Sequence, residues 1–148
     1  AASDVYKRQV YVGGVVGVQI GGSITGCSSS ATVKGMVDVG GVAGQTNSSA
    51  TLTACYATGN VTSTGSGTGN VHIGGFLGDN YTTVTACYWK NNHEQGIGYN
   101  KESTEATEVD GSVVTWQKAV DAMNRALQNA GSEWRYELKG ALPTLRKQ

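Results

Sequence analysis

"VYVGGVVGVQIGG", Val10–Gly22, sets five glycines among valines in thirteen residues. A glycine-rich turn after an apolar run can cradle a phosphate on the N–H groups at a helix start. It can equally mark backbone packed closely on backbone. The surroundings decide. The motif is Gly-Gly-x-x-Gly with no Lys-Ser/Thr pair, and "VQIGGSITGC" (18–27) continues as strand and turn rather than as an amphipathic helix. The nucleotide reading is set aside.

The stretch recurs. "VGGVVG" at 12–17 returns as "VGGVAG" at 39–44 and as "IGGFLG" at 73–78. The repeated glycines are Gly13, Gly14 and Gly17, then Gly40, Gly41 and Gly44, then Gly74, Gly75 and Gly78. A second motif keeps phase with the first: "ITGC", "LTAC" and "VTAC" end at Cys27, Cys55 and Cys87, which lie 14, 15 and 13 residues after the first glycine of each pair. Two motifs repeating together three times define a repeat unit. Val, Ile and Thr favour strands, and Gly, Asn and Ser favour the turns between them, so each unit reads as strand-turn-strand. Units of this kind stack with equivalent residues in columns. Stacking aligns Thr25 with Thr53 and Thr85, Cys27 with Cys55 and Cys87, and Val12 with Val39 and Ile73. The third copy breaks off at His93, and "STGSGTGN" (63–70) reads as a flexible loop.

Side-chain alternation exposes a difficulty. Leu52 and Cys55 are three apart, so a straight strand points them to opposite faces. Burying both requires a bend, a bulge or a cover on each face. Val15, Val42 and Phe76 pose the same question, because facing outward they form an apolar ladder that wants a cover or a partner.

Composition bounds the function. Charged residues are 15% of the chain and the formal net charge is zero, which argues against a nucleic-acid partner. No apolar run reaches the ~20 residues of a membrane span. Between Val10 and Tyr88 there are three charges, Lys34, Asp38 and Asp79, while sixteen lie from Trp89 onward. Residues 1–9, "AASDVYKRQ", lack both an initiator Met and a signal-peptide pattern, and their texture differs from that of residues 10–90. They read as a non-repeat fragment edge or an artificial scar, so localisation is not legible there.

Residues 91–114 read as a polar connection. From Thr115 the pattern becomes helical: Trp116, Ala119, Val120, Met123, Leu127 and Ala130 share one stripe, opposite Lys118, Asp121 and Arg125. Thr115 suits an N-cap and Gly131 a stop, giving a helix over 116–129. "EWRYELKG" then alternates as a strand with Trp134, Tyr136 and Leu138 on its buried face, and the chain turns at Pro143. An open strand edge is an aggregation hazard. The helix and strand of 115–148 are therefore expected either to cap the stack or to cover the Val15, Val42 and Phe76 face.

Candidate chemistry is sparse. Three cysteines suit neither a closed disulfide set nor a CxxC zinc site. They read as a buried column of small residues, with one disulfide between adjacent repeats as the alternative. His72 and His93 read as surface histidines, since no H-E-x-x-H is present. Glu102, Glu105, Glu108 and Asp110 read as a solvated run. Asp38 and Asp79 alone are thin material for a glycosidase pair. Tyr56, Tyr81, Tyr88, Trp89 and Phe76 form either a carbohydrate-stacking surface or part of the core.

The three Gly-Gly motifs, with "CYATGNV" at 55–61, resemble the GLUG-motif repeat family of bacterial surface proteins over about residues 12–90. Copies one and three depart from it with "CSSSATV" and "CYWKNNH". The resemblance implies a secreted or cell-surface setting within larger modular proteins, some close to IgA-peptidase-like and fimbrillin-like sequences, and carries over no catalytic residue.

The sequence thus predicts a mainly β chain: a β-solenoid-like stack of about three ~28-residue repeats over 10–90 and a helix-strand cap at 115–148. It predicts a non-enzymatic structural or adhesive segment of a larger extracellular or cell-surface protein, with no catalytic, cofactor or metal site and no membrane span. Val15, Val42, Phe76, Tyr56, Tyr88 and Trp89 are the expected contact surface, with host or bacterial glycans or surface proteins as partners. The alternative is a glycan-binding ancillary module of a larger surface enzyme, such as an IgA-peptidase-like protein.

Overall fold

The computed structural model describes residues 11–64, 71–91, 93–102 and 105–148. The edge at 1–9 and most of the loop at 63–70 lie outside the described residues. The first repeat supplies β1 (Tyr11–Gly13), β2 (Val16–Gln19), β3 (Gly22–Thr25), β4 (Ser28–Ser29) and β5 (Val33–Gly35). The second supplies β6 (Asp38–Gly40), β7 (Ala43–Thr46), β8 (Ala50–Thr53), β9 (Tyr56–Ala57) and β10 (Val61–Ser63). The third supplies β11 (His72–Gly74), β12 (Leu77–Asn80), β13 (Thr83–Thr85) and β14 (Tyr88–Trp89).

Equivalent strands pair in parallel, giving the sheets β1-β6-β11, β2-β7-β12, β3-β8-β13, β4-β9-β14 and β5-β10. The register follows the sequence repeat. Gly13, Gly40 and Gly74 align, as do Val12, Val39 and Ile73, and Thr25, Thr53 and Thr85. The chain is mainly β with parallel sheets, as the strand-turn-strand reading requires.

Two strands fall where a polar connection is expected. β15 (Ile97–Asn100) pairs with β12, and β16 (Thr107–Glu108) pairs with β14. Ile97 aligns with Leu77 and Asn100 with Asn80, so "QGIGYN" is a worn fourth copy of the glycine motif. A buried polar column runs into it: Thr46 Oγ1 donates to Asn80 Oδ1 at 2.7 Å, and Asn80 Nδ2 donates to Asn100 Oδ1 at 2.9 Å.

The motif glycines serve close approach. A Cβ on Gly40 would sit 2.2 Å from the Ala43 oxygen and 2.7 Å from the Gly78 nitrogen. One on Gly41 would sit 2.2 Å from the Gly75 oxygen, and one on Gly44 2.6 Å from the Val12 nitrogen. The first glycine lets the chain fold back on itself, the second passes under the next repeat, and the third lets the strand after the turn lie against β1 or β6.

The difficulty with Leu52 and Cys55 resolves through a bend. Ala54 and Ala86 have φ of 54° and 50°, and Gly26, at the equivalent place, has 65°. That left-handed residue costs a non-glycine about 1 kcal/mol and turns the chain a corner. Leu52 and Cys55 then enter the same core, fully buried.

That core contains Val42, Leu52, Phe76, Leu77, Val84, Cys55, Cys87 and Trp89. Val42 and Phe76 are fully buried, which corrects the expected outward ladder: they fill the interior and leave no contact face. Val15, in the bend before the edge strand β2, is 38% exposed. Val33, Val39 and Val61 form a second, smaller core with Val12 and Ile73.

α1 (Trp116–Asn129) begins at the expected cap, with Thr115 Oγ1 accepting from the Lys118 N–H at 3.3 Å. Gly131 comes after the helix at φ 75°. β17 (Trp134–Glu137) pairs antiparallel with β18 (Thr144–Lys147), a strand that alternation does not reveal. Tyr136 is buried as expected, whereas Trp134 is 46% exposed. Met123, Leu127, Val120 and Tyr136 pack on Ala54, Tyr56 and Val109. The helix and hairpin therefore cover the flank of the β4-β9-β14-β16 sheet, and not the Val15, Val42 and Phe76 positions. Tyr136 Oη donates to the Ala54 carbonyl at 2.7 Å, and Tyr56 Oη donates to the carbonyl of Pro143.

The cysteines are free. Cys55 and Cys87 are buried and Cys27 half-buried. Each thiol donates to the carbonyl of the threonine two residues upstream, at 3.7, 3.3 and 3.4 Å for Cys27, Cys55 and Cys87. Hydrogen bonding to Cys55, then burial, pushes the Cys27 thiol well above its ordinary range. Cys55 is raised too: its bond to Cys27 pulls the other way, but Cys87 and burial outweigh it. Because the thiolate is the reactive form, Cys27 and Cys55 should resist Ellman's reagent in the folded chain at pH 8, Cys87 should be shielded by its burial, and all three should react at once in guanidinium. Fast native labelling of Cys55 would contradict the column.

Candidate functional site: an acid and histidine cluster between repeats

Two of the three charges in the repeat half meet in space. Asp38 opens β6 and aligns with Tyr11 and His72 in the neighbouring strands. Asp79, in β12, aligns with Gln45 and Tyr99. These two columns face each other where the third glycine of the motif lets the sheets touch. His72 Nδ1 lies 2.8 Å from Asp38 Oδ1 and 4.0 Å from Asp79 Oδ2. Gln45 Nε2 donates to Asp79 Oδ2 at 3.1 Å and to Asp38 Oδ2 at 3.5 Å.

Both carboxylates are buried, Asp38 at 3% exposure and Asp79 at 4%. Buried charge is costly unless paired. Among the described residues, His72 is the ion partner that the two acids share. Asp79 Oδ1 is buried with no hydrogen-bond partner. Burial pushes the Asp38 carboxyl above its usual range; the His72 hydrogen bond opposes this and the Asp79 charge adds to it. The His72 side chain is 22% exposed, so it is the open side of the cluster. The Tyr99 ring lies over it at 4.9 Å, Tyr81 lies 6.3 Å beyond, and Lys101 Nζ sits 5.7 Å from the Tyr81 ring.

The structure corrects one expectation here: His72 is no plain surface histidine. One signal is present in the sequence. Asp38 and His72 each immediately precede the aliphatic-Gly-Gly motif, so stacking makes them neighbours. Nothing in the repeat phase places Asp79 beside them.

The expected aromatic contact surface is also revised. Tyr56 and Trp89 are 5% and 4% exposed. Tyr56 packs edge-on against Trp116 with ring centroids 5.1 Å apart, and Tyr88 is half-buried against the same helix cluster. Trp89 Nε1 donates to the Ala106 carbonyl at 3.3 Å. Among the described residues, the exposed aromatic rings are Tyr11, Tyr99 and Trp134. A cleft of about 450 Å³ lies between β15 and β16, lined by Trp89, Gly96, Glu105 and Glu108 among others. His93 lies away from the Asp38 cluster, its Nδ1 3.2 Å from the Gln95 oxygen. Asp110 accepts from the N–H groups of Ser112, Val113 and Val114, which hold its carboxyl below the usual range.

Residues 9–34 match the family model of the GLUG motif. The match spans the first repeat, β1 to β5, whose glycines and cysteine recur in the next two. Comparison with curated proteins and with solved structures gave no match. Among the described residues, no helix is long and apolar enough to cross a membrane.

Proposed function

We propose that this chain is a short β-solenoid that serves as a non-enzymatic structural or adhesive repeat module of a larger secreted or cell-surface bacterial protein. The observation that carries the reading is the in-register parallel pairing of equivalent strands in successive repeats. Such pairing is the way repeat arrays extend. β1, β2, β3 and β4 are edge strands of their sheets, and Ile20, Tyr11, Val15 and Val18 are exposed on the same repeat. That side suits the docking of a further repeat or of a partner. The GLUG motif at 9–34 supports the modular reading. The two aspartates of the array are too buried to reach a bulky substrate, which favours a non-enzymatic role.

A second reading is favoured by the exposed Tyr99 ring, with Lys101 and half-buried Tyr81 beside it near the acid cluster, because an exposed ring next to polar groups suits sugar stacking. A glycan array probed with the full chain and with Tyr99→Ala separates the two. The structural reading expects no reproducible binding by either chain. Hits that disappear in Tyr99→Ala would replace it with glycan recognition.

A further inference from the structure

We infer that Asp38, His72 and Asp79 form a binding site for one divalent transition-metal cation, of the manganese or zinc class, that ties the second repeat to the third. The three residues present ligand atoms that all lie within 4.8 Å of one another. An ion held at about 2.0–2.2 Å by nitrogen and oxygen ligands places neighbouring ligand atoms about 3–3.5 Å apart. The separations of His72 Nδ1 from the two carboxylates, 2.8 and 4.0 Å, bracket that spacing. Small side-chain shifts therefore close the shell.

Three further features point to a cation. Asp79 Oδ1 is a buried acceptor with no donor, and such an orphan is costly. Gln45 holds the Oδ2 atoms of both aspartates, as an outer-shell partner orients carboxylate ligands. Two buried carboxylates repel across the cluster, and a divalent ion reverses that repulsion. One imidazole with two carboxylates suits manganese or zinc better than calcium, which takes oxygen ligands alone. Entry is by the exposed side of His72, where water can complete the coordination.

Asp38 belongs to the second repeat, and His72 and Asp79 to the third, so bound metal clamps their junction. Chelator-treated full chain titrated with Mn²⁺ and followed by electron paramagnetic resonance is expected to bind one ion tighter than about 100 µM. The bound ion should show coupling to one nitrogen, and Tm should rise by about 5 °C at saturation. Asp79→Asn and His72→Gln should each weaken binding about 10-fold or more, and His72→Gln should also abolish the nitrogen coupling. His93→Gln should change neither. Manganese binds thiols poorly, which keeps the cysteine column out of the measurement. Absence of binding at millimolar Mn²⁺, together with no rise in Tm on adding Zn²⁺, would overturn the proposal. So would binding without nitrogen coupling in the parent chain, a readout that stands even if both variants fail to fold, or binding that both folded variants retain.

Discussion

Gly40→Ala is expected to prevent the chain from folding. The new methyl carbon would lie 2.2 Å from the Ala43 oxygen and 2.7 Å from both the Gly78 nitrogen and the Leu77 Cα. All three are backbone atoms of β7 and β12, so no side-chain rotation relieves the clash. Relief requires separating β6 from β7, the next strand of its own repeat, and from the third repeat at once. Overpacking that side chains can absorb costs about 1–3 kcal/mol. Here the backbone must move, and we expect about 4 kcal/mol or more, comparable with the whole stability of many small domains. Gly140→Ala is the control, since its Cβ would meet nothing within 4 Å. Urea unfolding followed by circular dichroism should show a cooperative transition for Gly140→Ala and none for Gly40→Ala. A Gly40→Ala chain within about 1 kcal/mol of the parent would mean that the motif glycines are not close-approach residues.

Deleting residues 115–148 is expected to give an insoluble or unfolded product. The segment covers Ala54, Tyr56 and Val109, all nearly fully buried, and packs on Ala86 and Tyr88. Fully burying one large apolar side chain is worth about 1.5–3 kcal/mol, and at least two such side chains are uncovered together. The Ala54 carbonyl also loses the Tyr136 hydroxyl. A sheet flank exposing this apolar patch invites association. Met123→Ala grades the effect, because Met123 is fully buried in the same cluster. It should lower stability by about 2–5 kcal/mol without unfolding the chain outright. A soluble, cooperatively folded truncation would show that the repeats do not need this cover.

The repeat is legible because its two motifs share one phase, and phase is what strand pairing preserves. Counting residues aligns Val12 with Val39 and Ile73, and they align in the sheet. The helix is legible from a stripe that runs from Trp116 to Leu127, with its cap at Thr115. β15 and β16 escape such counting because the fourth copy keeps only a Gly-Ile-Gly core and has lost the cysteine motif. β18 escapes it because "TLRK" carries one apolar residue and finds its pairing only against β17.

The repeat period therefore settles the neighbours along each column, since residues of equal phase become adjacent whatever direction they face. That is enough to place Asp38 beside His72. Which columns point inward depends on the packed chain, through the corner at Ala54 and Ala86 that turns Cys55 and Cys87 into the core. Which columns meet across the glycine turn depends on it too. Asp79 reaches His72 only because Gly44 and Gly78 let two sheets lie closer than any side chain would allow, and that approach is a property of packed backbone that has no spacing in the sequence.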